Sequence, residues 1–357
     1  MTDPGAGSVT PYASLSNDDQ LAVLAGVARA ALPHFGVESA ALELVLHGFN
    51  TTYRVDTVDG RRFAVRVNTN SVATAEMIEG QAAWTRALAA DTELAVPEPL
   101  LAQVGAHSGS AVVPIEAPEH GRTFLVTVNS WLDGPDIGEH VTAEQARALG
   151  RATAILHRHA SNWDTDQLVG WPVFDTPLLG DEVVLPLSGS AEADVHAEAM
   201  ACTQAAFDRV YGPGERGAAL IPLHADLHGD NLKWRPDRDV DRLAVFDFDD
   251  SGLGLPVLDL AISAYYLRRP HRAESSAPDV DLEGHLLAGY AEVSPLPSID
   301  PADFEALVAS RQLLLTNVVL GSSTAEWREW AASYLATSTR RLQRWLATGH
   351  FTFAADD

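Results

Sequence analysis

The chain has one lysine, Lys233, among 357 residues, and arginine carries the rest of its positive charge. Chemistry that needs a lysine at any other position is therefore excluded. Cys202 is the only cysteine, which rules out an internal disulfide and a thiolate metal site. Positive charge as a whole is scarce, and the formal net charge is -25 at pH 7. Nucleic-acid binding rests on cationic patches, so no such partner is expected. No apolar run approaches the length of a membrane span, so no membrane partner is expected either. Residues 1–16 are rich in Gly, Ser and Pro and lack the basic-then-apolar pattern of a signal peptide. A soluble, cytoplasmic protein is the expectation. Hydrophobic residues make up 46% of the chain, enough for a substantial core, and the length suits two lobes.

Against that background two short stretches stand out. The first is Leu223-His224-Ala225-Asp226-Leu227-His228-Gly229-Asp230-Asn231, and the second is Leu243-Ala244-Val245-Phe246-Asp247-Phe248-Asp249-Asp250. Each follows an apolar run that reads as a short buried strand. Carboxylates at the ends of buried strands are costly without a metal or a partner. The spacing His-x-Asp-Leu-x-x-x-Asn is that of a phosphoryl-transfer loop, in which the Asp receives the substrate hydroxyl proton and the Asn holds Mg²⁺. Here these are Asp226 and Asn231. An apolar strand ending in Asp-Phe supplies the other metal ligand, Asp247. The gap between Asn231 and Asp247 suits a β-hairpin, with strands at Leu232–Trp234 and Leu243–Phe246 and a turn at Arg235–Arg238. Hard oxygen ligands without thiols fit Mg²⁺. Asp249 is either a second metal ligand or a turn cap. His224 is expected to brace the loop, and Asp259, on the next helix, to accept hydrogen bonds from loop amides.

Taken in order, residues 1–17 read as a mobile tail, and a helix follows from Asp18 to Leu32, stopped by Pro33. Strands are predicted at Leu42–His47, Tyr53–Val58 and Arg61–Val67, the last two joined by the hairpin signal Asp59-Gly60. A helix at Ser71–Ala90 precedes strands near Leu100–Val104, Ala111–Ile115 and Thr123–Val128. Thr142-Ala143-Glu144-Gln145 is a capping box. Helices are expected after Pro256, over 281–293 and over 301–346. The plan is α+β: an N-terminal nucleotide-binding lobe (18–128) with an antiparallel sheet and one helix, then a mainly helical catalytic and substrate-binding lobe (129–357).

These residues resemble the aminoglycoside phosphotransferase / choline kinase family, which has the two-lobed protein-kinase-like fold. The resemblance includes Gly48-Phe49-Asn50-Thr51-Thr52, Ala64-Val65-Arg66-Val67, Trp131-Leu132-Asp133-Gly134 and Asp259-Leu260-Ala261. It implies ATP-dependent phosphorylation of a hydroxyl on a small molecule, with ATP and Mg²⁺ held between the lobes. Gly48 and Asn50 would lie at the phosphates, and the backbone near Val128 and Ser130 at the adenine. Arg66 stands where a lysine is usual, and its helix partner would be Glu76, Glu79 or Gln81. Ala225 replaces the usual Gly or Arg, and Gly48 is the only glycine of its loop. A cationic acceptor is compatible with the acids at Asp181, Glu182, Glu326 and Glu329, as is a solvated surface.

Rival readings exist. The strand ending at Asp247-Phe248-Asp249 also resembles the nucleophile motif of haloacid dehalogenase-type phosphatases, although no lysine follows it. His224, Asp226, His228 and Asp230 alternate as ligands of a two-metal hydrolase would. A catalytically inactive kinase-like binding protein is a third reading.

Overall fold

Ser16 accepts a hydrogen bond from the Asp19 amide and so caps the first helix, α1 (Asn17–Ala31), as a hydroxyl at that position does. The structure, a computed structural model, describes residues 10–165, 168–212, 220–238, 242–269 and 280–353. Residues 1–9 of the expected tail lie outside these. In its remainder Tyr12 is buried, edge-on to Phe124 with ring centroids 5.4 Å apart.

The chain divides into two compact units, one of residues 1–83, 97–131 and 322–331, the other of residues 84–96, 132–321 and 332–357. The first is built on an antiparallel sheet in the order β1 (Ser39–His47), β2 (Thr51–Thr57), β3 (Arg62–Val67), β5 (Arg122–Ser130), β4 (Val112–Ala117). Gly60 closes the β2–β3 hairpin at φ +83°, where a side chain would be strained. Phe63, Val65 and Val67 share one face of β3 and pack with Leu24, Phe124, Val126 and Val128. Period-two alternation therefore turns Ala64 and Arg66 to the other face. The strand expected near 100–104 is absent. After an isolated bridge of Pro99 with Asn129, the segment's amides go to separate partners and not to one ladder: Leu100 N–H to the Val128 carbonyl, Ala102 N–H to that of Ser110, and Gln103 and Val104 N–H to that of His34. Helix α2 (Ala75–Asp91) runs from the first unit into the second.

In the second unit, α3 (Ala143–Ala160) opens with the expected capping box of Thr142 and Gln145. Helix α4 (Ala191–Val210), an Ala-rich segment without a sharp apolar stripe, was not legible beforehand. Two short antiparallel pairs follow, β6 (Ile221–Leu223) with β9 (Gly252–Gly254), and β7 (Leu232–Trp234) with β8 (Leu243–Val245). The turn residues Arg235–Arg238 lie in place, and 239–241 fall outside the described residues. Helices α5 (Pro256–Leu267), α6 (Leu282–Ala291) and α7 (Pro301–Gly321) complete it, with most of α8 (Ala325–Thr348). The stretch 301–346 is helical as expected, in two helices with a break between them. The break at Ser322–Thr324 combines a local bond, the Ser322 hydroxyl accepting the Thr324 amide at 3.1 Å, with a long-range one, Asn70 Oδ1 accepting the Ser323 amide, and both compete with the helix.

Every sheet among the described residues is antiparallel. The strand before Asp247, β8, pairs antiparallel with β7 and meets Ala95 only at an isolated parallel bridge through Ala244, and helices rather than a long α/β region follow it, against the phosphatase alternative. Among the described residues no helix is long and apolar enough to cross a membrane.

Candidate active site

Strand β6 is buried throughout and delivers the chain at His224. Burial holds the His224 imidazole below its ordinary pKa, so it is neutral. Its Nε2 donates to the Phe246 carbonyl at 3.0 Å and its Nδ1 accepts the Asp226 amide at 3.3 Å. It is therefore a strut between the two motif stretches, as expected of a bracing histidine. With both ring nitrogens spent, it is no metal ligand, which removes the two-metal hydrolase reading. Asn231 lies immediately before β7, and its carbonyl accepts the Phe246 amide at 3.1 Å, so the hairpin brings Asp247 back beside Asn231. Phe248 anchors the second stretch, edge-on to Trp84 at 5.5 Å and tilted over His224 at 4.6 Å.

Two non-glycine residues here have left-handed backbones, Ala225 at φ +62° and Asp247 at φ +66°. Such positions cost of order 1–3 kcal/mol and persist where surroundings over-determine them. At Ala225 the determinant is Asp259. Its Oδ1 accepts the Ala225 amide at 2.7 Å, and its Oδ2 accepts the His224 amide at 3.2 Å and His157 Nε2 at 3.0 Å. His157 in turn meets the Tyr290 hydroxyl at 3.0 Å. Asp259 thus does what its position after the loop predicts. Gly229 is glycine because the loop lies against residue 138. A Cβ there would fall 1.9 Å from the Gly138 carbonyl oxygen.

Asp226 is gripped on both oxygens. Oδ2 accepts Asn231 Nδ2 at 2.8 Å and His228 Nε2 at 3.3 Å. Oδ1 accepts Arg311 Nη2, with the Tyr266 hydroxyl 3.5 Å away. Burial alone would raise the Asp226 carboxyl, but the Arg311 guanidinium and His228 together hold it well below the usual carboxylate range. Burial would lower His228, and Asp226 outweighs it, lifting the imidazole to about 9. The Asn231 amide nitrogen is consumed by Asp226, so its Oδ1 is the atom left for a cation. That oxygen and the Asp247 carboxylate are hard donors of the kind Mg²⁺ takes. Arg311 and Tyr266 are neighbours of Asp226 that the motif reading missed. The available signal was Arg311 inside the apolar run 306–314, a charge that burial forces to find a partner.

In the first unit Arg66 is half-buried on the face of β3 opposite Phe63, Val65 and Val67. Val128 and Ser130 lie on the neighbouring strand, paired with Val65 and Phe63. The Val128 carbonyl accepts Leu100 N–H and the Ser130 amide donates to the Glu98 carbonyl, each at 2.8 Å. Those two groups are therefore committed to the segment after Pro97. The Gly48 loop is tied down. Gly48 O accepts the Thr324 hydroxyl at 2.8 Å, Asn50 Oδ1 accepts the Thr69 amide at 2.8 Å, and Asn70 Nδ2 donates to Phe49 O at 2.7 Å. Glu79 spends its carboxylate on the Ser110 hydroxyl and the Ala111 amide, and Glu76 is exposed, whereas Gln81 is buried.

Comparison with known proteins follows the same lines. A family model described as the phosphotransferase enzyme family matches residues 42–296. The chain is 27% identical over 169 residues to an N-acetylmuramate/N-acetylglucosamine kinase of Caulobacter vibrioides, covering 41% of this chain and 46% of that one. It is 24% identical over 258 residues to hydroxylysine kinase of Bos taurus, covering 68% of this chain and 65% of that one. The chain thus spans between about half and two thirds of the length of these curated relatives. Among solved structures, a microcompartment-associated aminopropanol kinase superposes with TM-score 0.68 at 24% identity, over 92% of this chain and 99% of that one. The fold is therefore protein-kinase-like, α+β.

Proposed function

Because the chain belongs to the phosphotransferase enzyme family, we propose that it transfers the γ-phosphoryl group of ATP to a hydroxyl of a small molecule in the cytoplasm. The observation that carries this reading is the grip of Asn231 on Asp226, which leaves one carboxamide oxygen beside Asp247 for a cation. The names of the relatives, kinases of hydroxylysine, of amino sugars and of aminopropanol, support a small hydroxylated acceptor.

In this reading Asp226 is the catalytic base. The acceptor hydroxyl oxygen forms a bond to the γ-phosphorus, the bond to the ADP oxygen breaks, and the hydroxyl proton passes to Asp226. Asn231 and Asp247 would hold Mg²⁺, which would neutralise phosphate charge when bound. Arg66 donates to the phosphates with a planar fork, Gly48 and Asn50 shape the loop beside them, and the adenine packs against the strand end at Val128 and Ser130, whose Val128 carbonyl and Ser130 amide are already paired. The base contributes about 10²–10⁴-fold, since positioning and charge neutralisation dominate phosphoryl transfer.

The test pairs two variants. Asp226→Asn is expected to keep Mg-ATP affinity by calorimetry while losing about 10²–10⁴-fold in kcat. Asp247→Ala is expected to abolish the metal-dependent thermal shift that ATP produces. Full turnover by the first variant, or an unchanged Mg-ATP shift in the second, would sink the assignment.

A further inference from the structure

Asp226 lies among other acids, Asp230, Asp247, Asp249 and Asp250, and two arginines sit with them. Arg311, on α7, is 5% exposed. Its Nη2 donates to Asp226 Oδ1 and, at 2.9 Å, to the Tyr266 hydroxyl, which its Nε also meets at 3.3 Å. Its Nη1 bonds to none of the described residues. Arg269, just past α5, sets its guanidinium 4.7 Å from the Tyr266 ring centre and 5.6 Å from that of Tyr265. No carboxylate among the described residues forms an ion pair with it. The contrast is with Arg268, the preceding residue, which takes two carboxylates, Glu283 and Glu305, each at 2.8 Å. A guanidinium has five N–H donors in a fork that matches a carboxylate, and withdrawing one from water without an anion is costly. Among the described residues Arg311's one ion pair is with the base itself, which must be free to take a proton, while Asp250 and Asp181 act on it from further away.

An anion supplied by the acceptor resolves both points, giving the free donors a partner and drawing Arg311 away from Asp226. We propose that the acceptor carries a carboxylate a short carbon spacer from the hydroxyl that is phosphorylated, and that Arg311 and Arg269 bind that carboxylate. This rests on the kinase reading above and narrows its acceptor to hydroxy acids, including hydroxy amino acids and acidic sugars. The nucleotide γ-phosphate is the other anion with the same chemistry, and the experiment separates the two.

Matched probes differ only by the carboxylate: L-homoserine and 3-aminopropan-1-ol, L-serine and ethanolamine, D-glycerate and ethylene glycol, with D-glucuronate and D-glucose for larger acceptors. Binding to the full-length protein is titrated calorimetrically with Mg-AMP-PNP present, and turnover is followed as ADP release with Mg-ATP. At least one carboxylate probe is expected to bind about tenfold to hundredfold more tightly than its partner, the range for a charge-assisted bond. Arg269→Gln should lose that preference about tenfold while its Mg-AMP-PNP titration matches the parent. Arg311→Lys should lose the preference too, and if that buried site does not tolerate lysine, Arg269→Gln decides alone. Equal binding of every pair, no binding of any carboxylate, or weakened nucleotide affinity in Arg269→Gln with the preference intact overturns the proposal. The last outcome hands the arginines to the γ-phosphate. A parent that binds no Mg-AMP-PNP removes the kinase reading and this proposal with it. Nucleotide binding without carboxylate preference removes this proposal alone.

Discussion

At the scale of single residues, the site depends on groups that touch no substrate. Asp259 is fully buried and satisfies two loop amides and His157 at once. Removing one partner of a buried charged network leaves the others unsatisfied, so Asp259→Ala should cost about 3 kcal/mol in urea denaturation. It should also lower kcat more than it changes the KM for ATP, because the left-handed turn at Ala225 loses what enforces it. A variant with parental stability would show that the turn is held by other contacts. Arg66 makes a different prediction. If it serves the phosphates, Arg66→Ala weakens Mg-ATP binding, and Arg66→Lys recovers only part, since an ammonium is a point charge without the fork. Calorimetric titrations indistinguishable from the parent for both would make Arg66 a surface residue.

At the scale of elements, helices α3 and α6 approach so closely that glycine is needed at the contact. A Cβ at Gly289 would stand 1.9 Å from the Arg147 carbonyl oxygen, and one at Gly150 the same distance from that of Leu286. Backbone cannot give way as a flexible side chain can. Gly289→Ala should therefore destabilise by about 2 kcal/mol through overpacking, despite alanine's better helix propensity. The denaturation midpoint reads this, and a rise in stability would count against the close approach. The same two helices position His157 and Tyr290, so the contact supports Asp259 from behind.

At the scale of the whole molecule, a formal charge of -25 means that the folded chain works against its own repulsion. Paired arginines offset part of it. The end of α5 is joined to α6, α7 and the chain near Phe351 through Arg268, Glu283 and Glu305. Burial would raise the Glu305 carboxyl, but hydrogen bonds from Arg268 and the Phe351 amide win and hold it below its ordinary value. A depressed carboxyl gives stability that is whole above the unfolded glutamate pKa of about 4.3 and is lost as pH falls through the folded value. Glu305→Gln should accordingly be less stable than the parent at neutral pH, with the gap closing below about pH 4. Urea titrations across that range check it, and a gap that stays constant with pH would remove Glu305 from the acid response.

The sequence alone determined the local chemistry. The spacing of Asp226, Asn231 and Asp247, the apolar runs before them and the alternation of Phe63, Val65 and Val67 are all short-range patterns. Backbone periodicity turns such patterns directly into strands, loops and faces. The bracing roles of His224 and Asp259 were legible for the same reason, since each lies within or just after the loop it holds. Tertiary structure decided the rest. Arg311 lies 85 positions from Asp226 along the chain, and no periodicity links them. The break at Ser322–Thr324 depends on Asn70, whose Oδ1 accepts the Ser323 amide at 2.7 Å across 253 positions. Helix α4 has no sharp stripe to announce it, and the segment expected as a strand near 100–104 spends its amides on Val128, Ser110 and His34 instead of on one ladder. Long-range pairing of buried charges and backbone is settled by which surfaces meet, and a linear pattern carries no record of that.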